Sequence, residues 1–133
     1  MIHLRRILHI DDDAVMRMMI KKSLERSLKG FEIISCGTPV EFMNHLSCFE
    51  PDLLIIDVNM PLLSGPDLLR RIRDIPLFYP ALFMTGEETT DFADRDHLDP
   101  IIGVIQKPFS PLTLGDDLLN LWKNYQSSID KTL

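Results

Sequence analysis

The chain has 133 residues, of which 45% are hydrophobic and 26% charged, a composition that fits one globular domain rather than a disordered chain. Its formal net charge of −6 disfavours direct nucleic-acid binding, because phosphate contacts need a basic surface, although a local basic patch remains compatible with this charge. No apolar run approaches the length of a signal peptide or a membrane span, so we expect a soluble cytoplasmic protein without membrane contact. The two cysteines, Cys36 and Cys48, are expected to be free thiols.

Short apolar runs alternate with segments of helical periodicity along the chain. Strands are predicted at residues 7–10, 31–35, 53–57, 81–85 and 101–106. Helices are predicted at 14–29, from Thr38-Pro39 to just before Pro51, around Leu68, Ile72 and Ile75, within 89–98, and along the face of Leu114, Leu118, Leu121, Trp122 and Tyr125. A domain of residues 1–125 is therefore expected, followed by a frayed tail of residues 126–133.

Two sets of side chains on these helices have a structural interpretation at this stage. Met16, Met18 and Met19 are expected to fill the helix and the core rather than to form a partner groove. Arg70, Arg71 and Arg73 (all within the third helix) are expected to form a solvated face, with a basic docking patch as the alternative.

The strands are short and continuously apolar, which indicates burial on both faces and hence a parallel sheet covered by helices. In such sheets ligands bind beyond the carboxyl ends of the strands. The first strand ends in Asp11-Asp12-Asp13, the third in Asp57, the fourth in Thr85 and the fifth in Lys107. These polar groups are therefore predicted to meet at one edge of the sheet.

This set of residue types has a chemical logic. Carboxylates about 4 Å apart repel by about 4 kcal/mol at an effective dielectric near 20, so a cluster of them predicts a bound cation. Oxygen ligands suit Mg²⁺, Asp57 is the natural nucleophile for forming an acyl phosphate, and Lys107 could neutralise a phosphoryl group. Each residue also has an ordinary explanation on its own. Asp13 in particular is expected to be the N-cap of the first helix.

Four motifs in this order resemble those of the receiver domains of two-component response regulators. They are ILHIDDD (7–13), LLIIDVNMPLLSG (53–65), FMTG (83–86) and VIQKPF (104–109). The resemblance covers nearly the whole chain and is closest to the stand-alone, chemotaxis-type members. It implies a flavodoxin-like, doubly wound α/β fold with a five-stranded parallel sheet of order 2-1-3-4-5 and five helices.

The resemblance also implies roles for the residues at the predicted sheet edge. Asp57 would be the phosphorylation site. Asp12 and Asp57 would bind Mg²⁺ directly, together with the backbone carbonyl of Asn59, and Asp11 would act through a metal-bound water.

Further roles follow from the resemblance for the last two motifs. Lys107 would pair with Asp57 and then with the phosphoryl group, and its bond to Pro108 would be cis. Thr85 would move toward the phosphoryl oxygen as part of the conformational switch. The usual aromatic partner of this threonine is replaced by Val104, which predicts that the usual coupling is weak or absent.

The expected function is that of a single-domain response regulator. It would take its phosphoryl group from a histidine kinase or phosphotransfer protein, or from a small acyl phosphate, and signal through a protein partner. One alternative is a constitutive adaptor with weak or absent switching. Another is an aspartyl-phosphate phosphatase, but that class needs a second acid where this chain has Asn59. We therefore expect no enzyme activity beyond self-phosphorylation and autodephosphorylation.

Overall fold

A computed structural model describes residues 3–87 and 94–132, with side chains to residue 130. Its strands are β1 (Arg6–Ile10), β2 (Glu32–Cys36), β3 (Leu53–Asp57), β4 (Ala81–Thr85) and β5 (Ile101–Gln106). Its helices are α1 (Ala14–Ser27), α2 (Pro39–Phe49), α3 (Gly65–Asp74), α4 (Arg95–Leu98) and α5 (Leu114–Thr132). The strict alternation of strand and helix confirms the predicted α/β class.

The five strands form one parallel sheet in the order β2-β1-β3-β4-β5, as predicted. At its carboxyl edge, Ile10 pairs with Cys36 on one side and Ile56 on the other. Asp57 lies beside Met84 in β4, and Thr85 lies beside Gln106 in β5. The register therefore brings the polar residues after β1, β3, β4 and β5 to one edge of the sheet.

Each face of the sheet has its own hydrophobic core. Helices α1 and α5 cover one face, with residues such as Ile20, Leu24 and Trp122. Helices α2, α3 and α4 cover the other face. Residues of β3 and β4 are buried along the full length of both strands, which explains their uninterrupted apolar sequence. Each buried leucine or isoleucine contributes about 1.5–3 kcal/mol relative to an exposed one.

Side-chain caps set where the first three helices begin. Asp13 accepts hydrogen bonds from the backbone N–H of Val15 and Met16, which confirms it as the N-cap of α1. Thr38 and Ser64 cap α2 and α3 in the same way. Gly30, after α1, has a φ of +84°, a conformation that residues with a side chain rarely adopt.

Two expectations about side-chain burial, those for Met18 and Met19, are wrong. Met18 and Met19 are 51% and 41% exposed, because α1 turns Ile20 and Leu24, not these methionines, toward the sheet. Ile75 is 53% exposed because it lies beyond the last turn of α3.

Arg73 is buried rather than solvated, so the expectation of a uniformly exposed arginine face is also wrong. Its guanidinium donates hydrogen bonds to the carbonyls of Leu98 (2.8 Å), Leu77 (2.9 Å) and Pro100 (3.1 Å). These bonds provide the polar environment that a buried charge requires.

The last two predicted segments differ in length from the observed helices. The prediction of a frayed tail is wrong for residues 126–132, because α5 continues without a break to Thr132. Helix α4 occupies only the end of the predicted stretch 89–98, and residues 89–93 lie outside the described part of the chain. None of the helices in the described ranges is long and apolar enough to cross a membrane.

Candidate functional site

Three carboxylates meet at the carboxyl edge of the sheet. One ligand oxygen from each of Asp11, Asp12 and Asp57 lies within 4.8 Å of the others. Asp11 and Asp57 are buried, whereas Asp12 is exposed. The cluster therefore has two acids held in the protein and one that faces solvent.

Lys107 connects the two buried acids. Its Nζ donates hydrogen bonds to Asp11 Oδ2 at 3.0 Å and to Asp57 Oδ1 at 3.1 Å. Its backbone N–H donates to the carbonyl of Thr85 at 2.6 Å, and its bond to Pro108 is cis, as expected. The chain between β5 and α5 thereby places one cation against the acids.

Burial and neighbouring charges shift the pKa values of Asp57 and Lys107. Burial raises the pKa of Asp57, the charge of Asp11 raises it further, and the hydrogen bond from Lys107 only partly opposes this. Burial alone would lower the pKa of Lys107, but its hydrogen bonds to Asp11 and Asp57 outweigh burial and raise the pKa. Two carboxylates with one cation leave an excess of negative charge, which favours a further cation.

The segment after β3 holds Asp57 in place. Val58 N–H donates to the carbonyl of Met84, and Gly65 N–H donates to the carbonyl of Val58, both at 2.9 Å. A Cβ at Gly65 would collide with the backbone oxygen of Asp57 and would lie 2.9 Å from Ile56 Cγ2. Only glycine therefore fits where α3 begins against the end of β3.

The expected switch residues, Thr85 and Val104, lie on the neighbouring strands β4 and β5. Thr85 is buried, and its Oγ1 accepts a hydrogen bond from Glu87 N–H at 3.1 Å. Val104 pairs with Phe83 in the sheet, is half-buried, and packs against the core under α2, α3 and α4. Neither of their side chains belongs to the carboxylate cluster.

Asn59 is exposed and follows Asp57 closely in the chain. Hydrogen bonding from the Asn59 backbone lowers the pKa of the Asp57 carboxylate and opposes the effect of burial. The contact of the Asn59 carbonyl with a metal ion stays a prediction.

Two functional neighbours were missed by sequence reasoning. Arg17 Nη1 donates to the backbone carbonyl of Asp11 at 2.8 Å, and its guanidinium packs against Gly37. His9 of β1 is buried, and its Nδ1 lies 3.0 Å from Ser35 Oγ. The position of Arg17 one helical turn after the cap Asp13 is the signal that could have identified it.

The donor set fits a magnesium ion. Three carboxylates that include a solvent-facing member provide hard oxygen ligands while leaving room for water. No histidine or cysteine joins this group among the residues that the structure describes. Asp11, Asp12 and Asp57 would thus hold the ion, and such an ion supplies charge stabilisation for a phosphoryl group.

A buried carboxylate, a paired lysine and a cation site at the edge of a doubly wound sheet define a phosphoryl-accepting α/β domain. The sequence profile of the response regulator receiver domain matches residues 7–118. The chain therefore belongs to the receiver domain family of two-component response regulators, as its motifs indicated.

Solved structures agree with this assignment. The chain is similar to chemotaxis protein CheY4 of Vibrio cholerae, with 26% identity, a TM-score of 0.74, and coverage of 90% of this chain and 99% of that one. It is also similar to a receiver domain protein of Clostridium thermocellum, with 28% identity, a TM-score of 0.73, and coverage of 92% and 98%.

A curated relative with this domain is much longer. The alkaline phosphatase synthesis transcriptional regulatory protein PhoP of Bacillus subtilis is 27% identical over 114 residues, which are 80% of this chain and 44% of that protein. This chain thus spans less than half of that relative.

Proposed function

We propose that this domain accepts a phosphoryl group on Asp57 from a histidine kinase or phosphotransfer protein, with the help of Mg²⁺, and passes the signal to a protein partner. The observation that carries the proposal is the position of Asp57. It is a buried carboxylate 3.1 Å from Lys107 Nζ and within 4.8 Å of two further acids.

The chemistry is a transfer of one phosphoryl group between two carriers. A carboxylate oxygen of Asp57 forms a bond to phosphorus while the bond from phosphorus to the imidazole nitrogen of the donor breaks, and the electron pair stays on that nitrogen. Lys107 changes from pairing with the carboxylate to pairing with a phosphoryl oxygen. Since such transfer depends on positioning and charge stabilisation, the fixed place of Asp57 is its main requirement.

Exposed apolar side chains on α1 and on the segment before α5 support docking of the phosphoryl donor. Val15 and Met18, in the first turns of α1, are 62% and 51% exposed. Met19 shares a surface hollow with Pro111 of the segment before α5, and Leu112 in that segment is 74% exposed. Exposed apolar side chains grouped at a functional edge are typical of a protein contact surface.

The proposed chemistry stops at Asp57 itself. Asn59 carries an amide where an aspartyl-phosphate phosphatase needs a proton-donating acid. An amide has no acidic proton to give to a leaving group. We therefore propose self-phosphorylation and autodephosphorylation without turnover of other phosphate esters.

A constitutive adaptor is the second candidate, favoured by the surroundings of α4. Val104 offers no large side chain that could alternate between buried and exposed positions. Arg73 fastens α3 to the carbonyls of Leu98 and Pro100 at the end of α4. Arg70 forms an ion pair with Asp94 at the start of α4. These contacts at both ends of α4 oppose its displacement.

The test is intact mass after incubation with acetyl phosphate, with and without Mg²⁺. The expected result is one phosphoryl adduct that requires Mg²⁺ and is absent from Asp57→Asn. An exposed aspartate of α5 provides a matched control, so Asp116→Asn should label like the wild type. Absence of an adduct from the wild type under both conditions would refute phosphoryl acceptance.

Amide NMR spectra recorded with and without beryllium fluoride, a mimic of the phosphoryl group, distinguish the adaptor hypothesis from the switch hypothesis. Shifts that extend through β5 and α4 support a switch. Shifts confined to the neighbours of Asp57 support the adaptor.

A further inference from the structure

Helix α1 contacts the backbone of the acid cluster through Arg17. This half-buried side chain donates a hydrogen bond from Nη1 to the backbone carbonyl of Asp11 at 2.8 Å. The backbone N–H of Asp11 donates to the carbonyl of Cys36 at 3.1 Å. The main chain at Asp11 is therefore held at its N–H by the end of β2 and at its carbonyl by Arg17.

The carbonyl that Arg17 holds belongs to the peptide between two of the acids. Because a peptide unit is planar, the direction of the Asp11 carbonyl also sets the direction in which the chain enters Asp12. Asp12 is exposed, and its carboxylate makes no hydrogen bond to the residues that the structure describes. The place of this carboxylate in the cluster therefore depends on the backbone that carries it.

The side chain of Asp11 is fixed by other groups. Its Oδ1 accepts a hydrogen bond from Asp13 N–H at 2.9 Å, and its Oδ2 accepts one from Lys107 Nζ at 3.0 Å. Both bonds orient the carboxylate and leave the carbonyl to another partner. Arg17 supplies that partner.

Gly37 leaves room for the guanidinium. A Cβ at this position would lie 2.9 Å from Arg17 Nη1, 3.1 Å from Cζ and 3.4 Å from Nη2, which are the three nearest atoms. The guanidinium thus lies against the turn between β2 and α2, closer than a side chain there would allow. Gly37 lacks the positive φ that would itself require glycine, so its backbone would accept alanine.

We propose that Arg17 is a positioning residue for the metal site, which keeps Asp11 and Asp12 in the orientation that binds Mg²⁺ by holding the carbonyl between them. This inference rests on the proposed Mg²⁺-dependent phosphorylation of Asp57. Replacement of groups that hold metal ligands in place typically lowers metal affinity about 10–100-fold. The positive charge of a guanidinium repels a cation, so loss of the charge alone would strengthen Mg²⁺ binding. The sign of the change therefore separates positioning from charge.

The experiment measures the dissociation constant of Mg²⁺ from the amide NMR shifts of residues 11–13 during titration with magnesium chloride. Arg17→Ala should weaken Mg²⁺ binding about tenfold. Gly37→Ala keeps the charge of Arg17, but its Cβ moves the guanidinium, and it should weaken binding about threefold. The half-saturating Mg²⁺ concentration for phosphorylation by acetyl phosphate should rise by the same factors. The matched control is Arg26→Ala, which removes an exposed arginine of α1 and should bind Mg²⁺ like the wild type.

The double variant tests whether the two positions act through one contact. If Gly37→Ala acts by moving the guanidinium, Arg17→Ala/Gly37→Ala should bind Mg²⁺ like Arg17→Ala alone. A loss equal to the product of the two single factors would overturn the inference, because Gly37 would then act independently of Arg17. Unchanged or tighter binding in Arg17→Ala would overturn it as well, because the guanidinium would then act through its charge or not at all.

The variants are compatible with folding, because alanine favours the helix at position 17 and the backbone at position 37 accepts it. Urea unfolding of each variant ensures that folded proteins are compared. Variants that bind Mg²⁺ as tightly as the wild type would overturn this inference and leave the proposed function intact. Failure of acetyl phosphate to label the wild type at any Mg²⁺ concentration would instead refute the proposed function, and this inference with it.

Discussion

Replacement of Gly65 by alanine tests whether the start of α3 positions the phosphoryl acceptor. The added Cβ would meet the backbone oxygen of Asp57 and Ile56 Cγ2 inside van der Waals distance. Neither atom belongs to the end of a flexible side chain. Strand β3 is held by β1 and β4 on both sides, so the collision must displace the turn between β3 and α3.

The size of the effect follows from overpacking. Forcing a methyl group into a well-packed site costs about 1–3 kcal/mol, and the better helix propensity of alanine offsets at most about 1 kcal/mol. We expect Gly65→Ala to lose about 1–2 kcal/mol of unfolding free energy, which is about 1 M in the urea midpoint for a domain of this size. Because the displaced atoms include the backbone of the nucleophile, its phosphorylation by acetyl phosphate should slow about tenfold.

Two other glycines separate stability from positioning. Gly30→Ala should also cost about 1–2 kcal/mol, since its φ is +84°, yet leave the phosphorylation rate unchanged because Gly30 lies in the loop after α1. Gly86→Ala meets no atom within 4 Å and should retain wild-type stability. If Gly65→Ala were destabilised but phosphorylated at the wild-type rate, the start of α3 would not position Asp57.

Substitutions at three further positions probe the charged and polar groups of the interior and the acid edge. Lys107→Met should lose about 2–3 kcal/mol of unfolding free energy at pH 7, measured by urea unfolding, because Asp11 and Asp57 lose their cation. Addition of Mg²⁺ should restore most of this loss. Arg73→Met should lose about 3 kcal/mol of unfolding free energy. Arg73→Lys should be destabilised as well, because one ammonium cannot reach three carbonyls. Amide hydrogen exchange of residues 98–101 should accelerate in both variants. Burial, with Lys107 and Arg17 nearby, lowers the pKa of His9 to about 3. The unfolded state then takes up a proton below about pH 6.5 that the folded state excludes, so the stability falls as the pH is lowered. His9→Phe should remove about 2 kcal/mol of the stability lost between pH 7 and pH 5.

Matched substitutions at exposed positions control for each of these variants. Lys123→Met, Arg71→Met and His3→Asn change the same residue types on the surface and should leave stability nearly unchanged. A Lys107→Met protein that gains no stability from Mg²⁺ would contradict the shared cation site. An unchanged pH dependence in His9→Phe would show that folding does not change the pKa of this imidazole.

Sequence periodicity was sufficient for the layout of the fold. The strands β3, β4 and β5 begin and end at the predicted residues, because continuous apolar runs bounded by turn residues are typical of buried parallel strands. The parallel register then brings Asp11 and Asp57 together, and the contact of Lys107 with both follows from the sheet order.

Long-range contacts were not accessible in the same way. Arg73 has the same sequence signature as its exposed neighbour Arg71. Only the paths of the chain after α3 and at the end of α4 bring three carbonyls to its guanidinium. Burial of Met19 was predicted from the helical period, but the width of the buried face depends on what packs against α1. Such features depend on residues distant in the sequence, which local patterns do not encode.

The contacts around α4 connect these observations to signalling. A phosphoryl group on Asp57 can favour a new conformation only by an amount equal to its different contacts in the two states. Here Arg70 and Arg73 hold both ends of α4, and Val104 adds no large side chain that could change position. A switch in this domain would have to break these contacts, whereas the docking surface lies on α1 and the segment before α5. The effect of phosphorylation is therefore expected to be strongest at the acid edge itself, where a partner would contact the phosphoryl group directly.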